Sequence, residues 1–359
     1  MAKFTFPERY KSALKFAILL ILSVSLLSCE AVNYYTQAAR GQASIMLGRQ
    51  DIERLLTDEA LDGATREKLE LVLSIREFAA DQLSLPVANN YSSYVDVGRE
   101  HVVWNVFAAP EFSTEAINWC YPIAGCVSYR GYFSEQAAMR YADKLDADGL
   151  DVYTGGVDAY STLGWFDDSL LSTVMNRADY QIAGLIFHEL AHQVVYLQGD
   201  TTFNESFATA VEREGVRRWL LAQGQEDQVA GAEVARQRQA EFVELVIEWR
   251  ERFAALYAEE HSPEDMRRRK NSLQDEMRTA YQQQKAGWDG YSGYDSWFSR
   301  SLNNAQLSTV ASYNDLVPQF DALLASLDGN LDRFYEEVEL LASLNDLQRQ
   351  NRFEELSAD

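Results

Sequence analysis

Two histidines and a glutamate within one pentapeptide could bind a metal ion and move a proton. The pentapeptide is His188-Glu189-Leu190-Ala191-His192, an HExxH pattern. On a helix, His188 and His192 lie about one turn apart and leave the same face, so both imidazoles can close on one ion. Glu189 projects about 100° around the helix from His188, so it is not in line to bind the metal but can hold a metal-bound water molecule. This spacing predicts two metal ligands and the general base of a zinc peptidase centre.

The residues around the pentapeptide favour a metal site over a structural helix with packed histidines. Residues 184–187 and 193–195 carry no charge, so Glu189 is the only charged side chain of this apolar segment. A charge in an apolar helix needs a partner, and a divalent cation can be that partner. Two of the four histidines in the chain also lie in this pentapeptide.

A third ligand has to come from elsewhere, because a catalytic zinc typically takes three protein ligands and leaves one position to water. Residues 197–202 predict a helix stop and a turn, and helical spacing resumes at Asn204. A second helix returning beside the first would bring Glu205 back toward His192. Twelve residues separate the two, so the hairpin has to be tight.

The second helix carries a recognisable element. Asn204-Glu205-Ser206-Phe207-Ala208, with Glu212 seven residues after Glu205, resembles the NExFAxxxE element of gluzincin aminopeptidases. The resemblance implies that Glu205 is the third zinc ligand. For Glu212, the resemblance implies one of two roles: a carboxylate that supports a metal ligand from behind, or a local ion-pair partner. An ordinary solvated helix carboxylate is the alternative for both.

The resemblance extends over nearly all of the chain after the leader. Segments 34–42, 104–112, 119–126 with 129–133, and 158–168 resemble a family of Gram-negative bacterial lipoproteins identified as predicted zinc aminopeptidases. It implies one catalytic Zn²⁺ and hydrolysis at the N-terminus of peptides in the periplasm. Glu189 would take a proton from water and pass it to the leaving amine.

Two further roles of such a site have several candidates each. The tetrahedral oxyanion needs a donor, and Tyr160, Tyr313 and His101 are candidates for this catalytic role. The substrate ammonium needs a carboxylate, and residues 108–111 faintly resemble the GAMEN element that binds it elsewhere. Glu111 is therefore the expected substrate-binding residue, and the pair at 167–168 competes with it. Each of these residues could also have only a core, surface or turn role.

The N-terminus predicts export and a lipid anchor. Basic residues precede an apolar run at 16–27 that is too short to span a bilayer comfortably, as in a signal peptide over residues 1–28. Leu26-Leu27-Ser28-Cys29 resembles a lipobox with Cys29 as the lipidated residue, and Glu30 resembles an outer-membrane sorting signal. An uncleaved membrane anchor is the alternative. We expect attachment to the outer membrane, facing the periplasm.

Cysteine count and charge bound the remaining possibilities. Lipidation of Cys29 leaves Cys120 and Cys126, for which a disulfide is favoured over two free thiols or a metal site. With 32 basic and 55 acidic residues the net charge is −23, which opposes nucleic-acid binding. The expected partners are a peptide substrate and, through the anchor, a membrane.

Apolar spacing predicts an α+β fold that is mostly α, and the resemblance implies a gluzincin-like peptidase core within it. We expect a helical segment at 29–86, an α+β core at 87–225 and a helical region at 226–359. Strands are predicted at 101–107 and 149–153, and helices at 134–147, 228–260, from Ser262 onward, 304–327 and 329–344. The basic run at 267–270 is interpreted as a solvated helix face.

Three functional hypotheses follow from these residues. A periplasmic zinc aminopeptidase is the leading one. A zinc endopeptidase acting on envelope proteins would use the same metal centre. A non-catalytic envelope interaction lipoprotein would require the loss of a ligand or of the base, and none is missing from the sequence.

Overall fold

The structure, a computed structural model, describes residues 32–121, 125–159, 167–310 and 316–358. Helices make up most of it, and all described strands lie between residues 50 and 171. The α+β, mostly α fold expected from the sequence is therefore confirmed. The boundaries at residues 87 and 226 stay a prediction. Within the described ranges, no helix is both long and apolar enough to cross a bilayer.

The elements follow one another in this order. The N-terminal helices are α1 (32–47), α2 (Ile52–Leu56) and α3 (Gly63–Leu83). The strands are β1 (Gln50–Asp51), β2 (Ser93–Val95), β3 (Val103–Pro110), β4 (Trp119–Tyr121), β5 (Gly125–Val127), β6 (Arg130–Tyr132), β7 (Leu150–Val157) and β8 (Leu170–Leu171). The later helices are α4 (Glu135–Ala147), α5 (Asp179–Val194), α6 (Thr201–Ala222), α7 (Glu226–Tyr257), α8 (Pro263–Lys285), α9 (Asp295–Phe298), α10 (Asn304–Leu307), α11 (Val317–Ser326), α12 (Leu331–Ser343) and α13 (Asp346–Ala358).

A three-stranded antiparallel sheet has β3 at its centre and β6 and β7 at its edges. Helix α4 packs on this sheet, and its start matches the expectation because the Ser134 side chain accepts from Ala137 N. A second small sheet has the order β1-β2-β8, and β4 and β5 form a hairpin. Both predicted strands are present, although each extends further toward its C-terminal end than expected.

The main hydrophobic core surrounds helices α5 and α6. Its fully buried aromatic side chains come from α5, α6, α11 and α12, and they are Phe187, Phe203, Phe207, Phe320 and Phe334. The two helices approach closely because a glycine faces the contact. A Cβ at Gly215 would lie 2.7 Å from a ring carbon of Phe187. Close packing of α5 against α6 brings the functional side chains of both helices together.

Two sequence-based expectations in the C-terminal half are wrong in part. The side chains of residues 267–269 are at least half exposed, as expected of a solvated helix face. Lys270 is buried, because its Nζ pairs with Asp151 Oδ2 at 2.6 Å and bonds to Glu111 O at 2.8 Å. The helix expected at 304–327 is interrupted, since α10 ends at Leu307 and residues 308–310 are not helical. Helix α13 lies within the helical region expected at 226–359, although its bounds were not predicted, and its Phe353 packs in the main core.

Candidate metal centre

Helix α5 presents the HExxH residues from a well-buried apolar helix. Ile186, Phe187, Leu190 and Ala191 have no measurable exposure and fix the rotation of the helix against the core. His188 and His192 then lie on the same face, with ring centroids 4.9 Å apart and ring planes at 85°.

The tight hairpin expected between α5 and α6 is closed by a side chain. Gly199 adopts a φ of +90°, a conformation that favours glycine. Buried Asn204 then bonds to both backbone groups of Leu197: its Oδ1 accepts from the amide at 2.7 Å and its Nδ2 donates to the carbonyl at 2.8 Å. Asp200 caps α6 by accepting from Phe203 N at 2.9 Å. This closure fixes the position of Glu205, the next residue.

Three donor groups converge on one point. Glu205 Oε2 lies 3.3 Å from His188 Nε2, and Glu205 Oε1 lies 3.7 Å from His192 Nε2. One ligand atom from each of the three residues lies within 4.8 Å of the other two, and no other such group of three or more occurs in the described ranges. The arrangement can hold a metal ion.

Glu212 lies behind His188 as a supporting carboxylate. His188 Nδ1 donates to Glu212 Oε2 at 3.1 Å, which leaves Nε2 facing Glu205. Such a bond fixes the tautomer and orientation of a metal-binding imidazole. Gly184 leaves room for this carboxylate, because a Cβ there would lie 3.0 Å from Glu212 Oε1.

The two histidines differ in their electrostatic surroundings. Burial lowers the pKa of His188, but hydrogen bonds to Glu205 and Glu212 outweigh burial and raise the pKa to about 10. Burial and the neighbouring His188 lower the pKa of His192 to about 4, so its ring is neutral at pH 7. The pKa of Glu205 is lowered, because hydrogen bonding to His188 outweighs burial. The carboxylates of Glu205 and Glu212 therefore stabilise a positive charge at His188.

Glu189 lies beside a small, mostly apolar cavity. Tyr91, Leu170, Val174 and Leu185 line this cavity with Glu189. Burial raises the pKa of Tyr91 well above its usual value, and the negative charges of Glu189 and Asp168 raise it further. Tyr91 therefore keeps its proton beside the predicted general base.

The backbone around Tyr91 is held against α5 by a second asparagine. Tyr91 has a φ of +56°, which is strained for a residue with a side chain. Buried Asn90 accepts from Asp168 N at 2.8 Å and donates to Gln193 Oε1 at 3.1 Å. Gln193 follows His192 on α5, so this network ties the Tyr91 segment to the candidate metal centre.

Of the other predicted site residues, Glu111 and His101 pair with other side chains, Asp168 lies near Tyr91, and two lie outside the described ranges. Both oxygens of Glu111 accept from Arg267 on α8, at 2.6 and 2.8 Å. His101 Nδ1 is bonded to Asp158. Tyr160 and Tyr313 lie outside the described residues, so their catalytic roles stay predictions.

The predicted cysteine roles are placed as follows. Cys120 and Cys126 are joined in a disulfide and face each other across the β4–β5 hairpin. Cys29 lies outside the described residues, and its lipidation stays a prediction.

Sequence reasoning missed the residues that hold the centre together. Asn204 was noted as part of a motif, but its spacing gave no sign of a bond back to Leu197. Arg349 of α13 was not considered, yet its buried guanidinium pairs with Asp200 at 3.2 Å and so supports the start of α6. The Gly199-Asp200 turn, which ends four residues before Asn204, was a signal for the hairpin but not for this bond.

Comparison with known proteins gives a family but no individual relative. Neither the curated proteins nor the solved structures contain a match to this chain. The family described as "Putative aminopeptidase" matches residues 33–353, which includes α5, α6 and all three donor residues. Because the match covers most of the chain, the protein belongs to this aminopeptidase family.

Proposed function

We propose that this protein is a zinc-dependent aminopeptidase. The observation that carries the proposal is the convergence of His188 and His192 on α5 with Glu205 on α6, their ligand atoms all within 4.8 Å of one another. Helix α5 also carries Glu189. Two imidazoles and one carboxylate are the ligand set of catalytic zinc sites that keep one position open. The family description supports peptide hydrolysis as the reaction.

The donor chemistry of this centre fits a divalent cation. His192 Nε2 is the ring nitrogen that faces Glu205. The other ring nitrogen, Nδ1, is buried with no hydrogen-bond partner among the described residues. His188 lies between two carboxylates that stabilise a positive charge. A metal ion bound to His188 and Glu205 would take the place of the proton that these carboxylates otherwise favour.

The residues of the chain divide the catalytic work. Zinc, when bound, supplies a Lewis acid that polarises the scissile carbonyl and lowers the pKa of water. Glu189 takes the proton from the attacking water and gives it to the leaving amine. Glu212 holds the His188 ring in place, and mostly apolar side chains line the cavity beside Glu189.

The place of action is also a proposal. The basic and apolar residues 1–28, followed by Cys29, support a lipid anchor in the outer membrane. The domain would then face the periplasm, an oxidising compartment that suits the Cys120–Cys126 disulfide. Peptides in that compartment are the proposed substrates.

The test compares short peptides with free and acetylated N-termini, using zinc-loaded protein. The free peptides should lose their first residue, and acetylation should abolish that cleavage. Glu189→Gln should retain zinc and lose activity by roughly a hundredfold or more, which is the usual contribution of a general base. Wild-type activity in a zinc-loaded Glu189→Gln variant would contradict the proposed base.

One observation favours endopeptidase activity as the second candidate function. A carboxylate that binds the substrate ammonium would define an aminopeptidase, but Glu111 is already paired with Arg267. Cleavage of free and acetylated peptides at the same internal bonds would support the endopeptidase and reject the exopeptidase, while leaving the metal centre intact.

A further inference from the structure

The inner face of helix α1 packs against the rest of the protein along its length. Arg130 lies 4.2 Å from the ring centroid of Tyr34, and the side chain of Gln37 bonds to the β6 edge at Gly131 O and Phe133 N. Gly41 sits so close to Phe133 that a Cβ there would overlap the ring. Ile45 is buried in a small core with Val95 and Val102. These contacts fix which side of α1 faces outward.

The outer face of α1 carries a continuous apolar stripe. Its residues follow helical spacing and are all exposed: Val32, Tyr35, Ala39, Ala43 and Met46, with Leu47 beside them. Val32 is 60% exposed and Leu47 is 88% exposed. An apolar stripe on the outward face of a helix marks a surface that contacts another protein or a membrane.

The charge of this part of the chain is unlike that of the rest. No acidic residue occurs from position 31 to position 50, although the chain carries 55 acidic residues in total. The two charged residues in this stretch are Arg40 and Arg49. Arg40 is exposed at the border of the stripe and has no carboxylate partner among the described residues. An apolar stripe with a cation at its border matches the acyl region and the phosphates of a lipid surface.

The position of α1 in the chain favours the same partner. Val32 follows Cys29 by three residues, so a fully extended chain separates them by at most about 11 Å. A lipid attached at Cys29, or an uncleaved anchor, therefore holds the start of α1 at the bilayer surface.

We propose that the outer stripe of α1 lies in the interfacial region of the membrane that carries the anchor. The helix would lie along the surface rather than cross the bilayer, since sixteen described residues reach only about 24 Å. This contact orients the whole domain, because the inner face of α1 is fixed to the edge of the β6-β3-β7 sheet. The proposal rests on the proposed membrane anchor but does not depend on zinc binding or on peptide hydrolysis.

The test places a nitroxide label on the stripe of the full-length protein. Single cysteines are introduced by Ala39→Cys and Ala43→Cys, and by Leu347→Cys as a control on the exposed face of α13. The proteins are reconstituted in vesicles of phosphatidylethanolamine and phosphatidylglycerol. Collision rates with oxygen and with a polar nickel chelate are then measured by electron paramagnetic resonance.

Labels at positions 39 and 43 should show a ratio of oxygen to nickel collisions severalfold higher than the label at position 347. Two neighbouring exposed positions guard against a local effect of one label. Equal ratios at all three positions would overturn the proposal, as would failure of the protein to float with the vesicles. Spin–spin broadening at positions 39 and 43 that grows with protein density would identify a second copy as the partner and would also overturn it.

Discussion

Removal of the Asn204 side chain should destabilise the protein, because Asn204 bonds back to Leu197 across the α5–α6 hairpin. Asn204→Ala leaves the amide of Leu197 without its side-chain partner, whereas the Leu197 carbonyl keeps a bond from Asp200 N at 3.3 Å. One unsatisfied backbone group costs about 1–3 kcal/mol, so the free energy of unfolding should fall by roughly that amount. The loss reflects hydrogen bonding and not metal binding if it is measured in the presence of a chelator.

The assay is urea unfolding followed by circular dichroism, with Asn271→Ala as the matched control. Asn271 is exposed within α8 and forms no side-chain hydrogen bond to a described residue, so its replacement should change stability by less than about 0.5 kcal/mol. Zinc affinity of the Asn204→Ala protein should also fall, since Glu205 is the next residue. An Asn204→Ala protein as stable as the Asn271→Ala protein would refute the assigned role of Asn204.

Three other perturbations have defined outcomes. Lys270→Met removes the lysine partner of the buried Asp151 carboxylate and should lower the free energy of unfolding in urea by roughly 3–5 kcal/mol. Arg268→Met, the control at a 78% exposed side chain, should lower it by less than about 1 kcal/mol. Glu212→Ala should weaken zinc binding roughly 10-fold to 100-fold in a competition titration with a chelating dye; unchanged affinity would refute its supporting role. Hydrogen bonds to two arginines outweigh burial and lower the pKa of Glu214, so its stabilising contribution is complete above the unfolded pKa and is lost as pH falls below about 4.5. The difference in unfolding free energy between wild type and Glu214→Gln should therefore narrow below that pH, and a constant difference would contradict this assignment.

The candidate centre could be predicted where local spacing determines geometry. A helix places residues four apart on one face whatever surrounds it, so His188 and His192 could be paired from the sequence. Glu205 required the resemblance of residues 204–208 to a known element. The hairpin that delivers it depends on the bond from Asn204 to Leu197, which residue types alone do not reveal.

Long-range contacts explain the expectations that were wrong. Lys270 belongs to a basic run of the type that usually faces solvent, but Asp151, 119 residues earlier, lies opposite it in the fold. Its burial follows from the packing of α8 against β7 and not from any local pattern. The start of α10 is similar, because the Asn304 amide and side chain bond to residues on β3 and β7 and to Glu111.

The most direct test of the proposed function is the zinc content of purified protein and of one ligand variant. Mass spectrometry of metals should find about one zinc per chain in the wild type and in Glu189→Gln. Glu205→Ala should lose zinc, because the third ligand has been removed from a centre in which the three donors lie within 4.8 Å. Full zinc occupancy in Glu205→Ala, or no zinc in the wild type after incubation with the metal, would contradict the proposed centre.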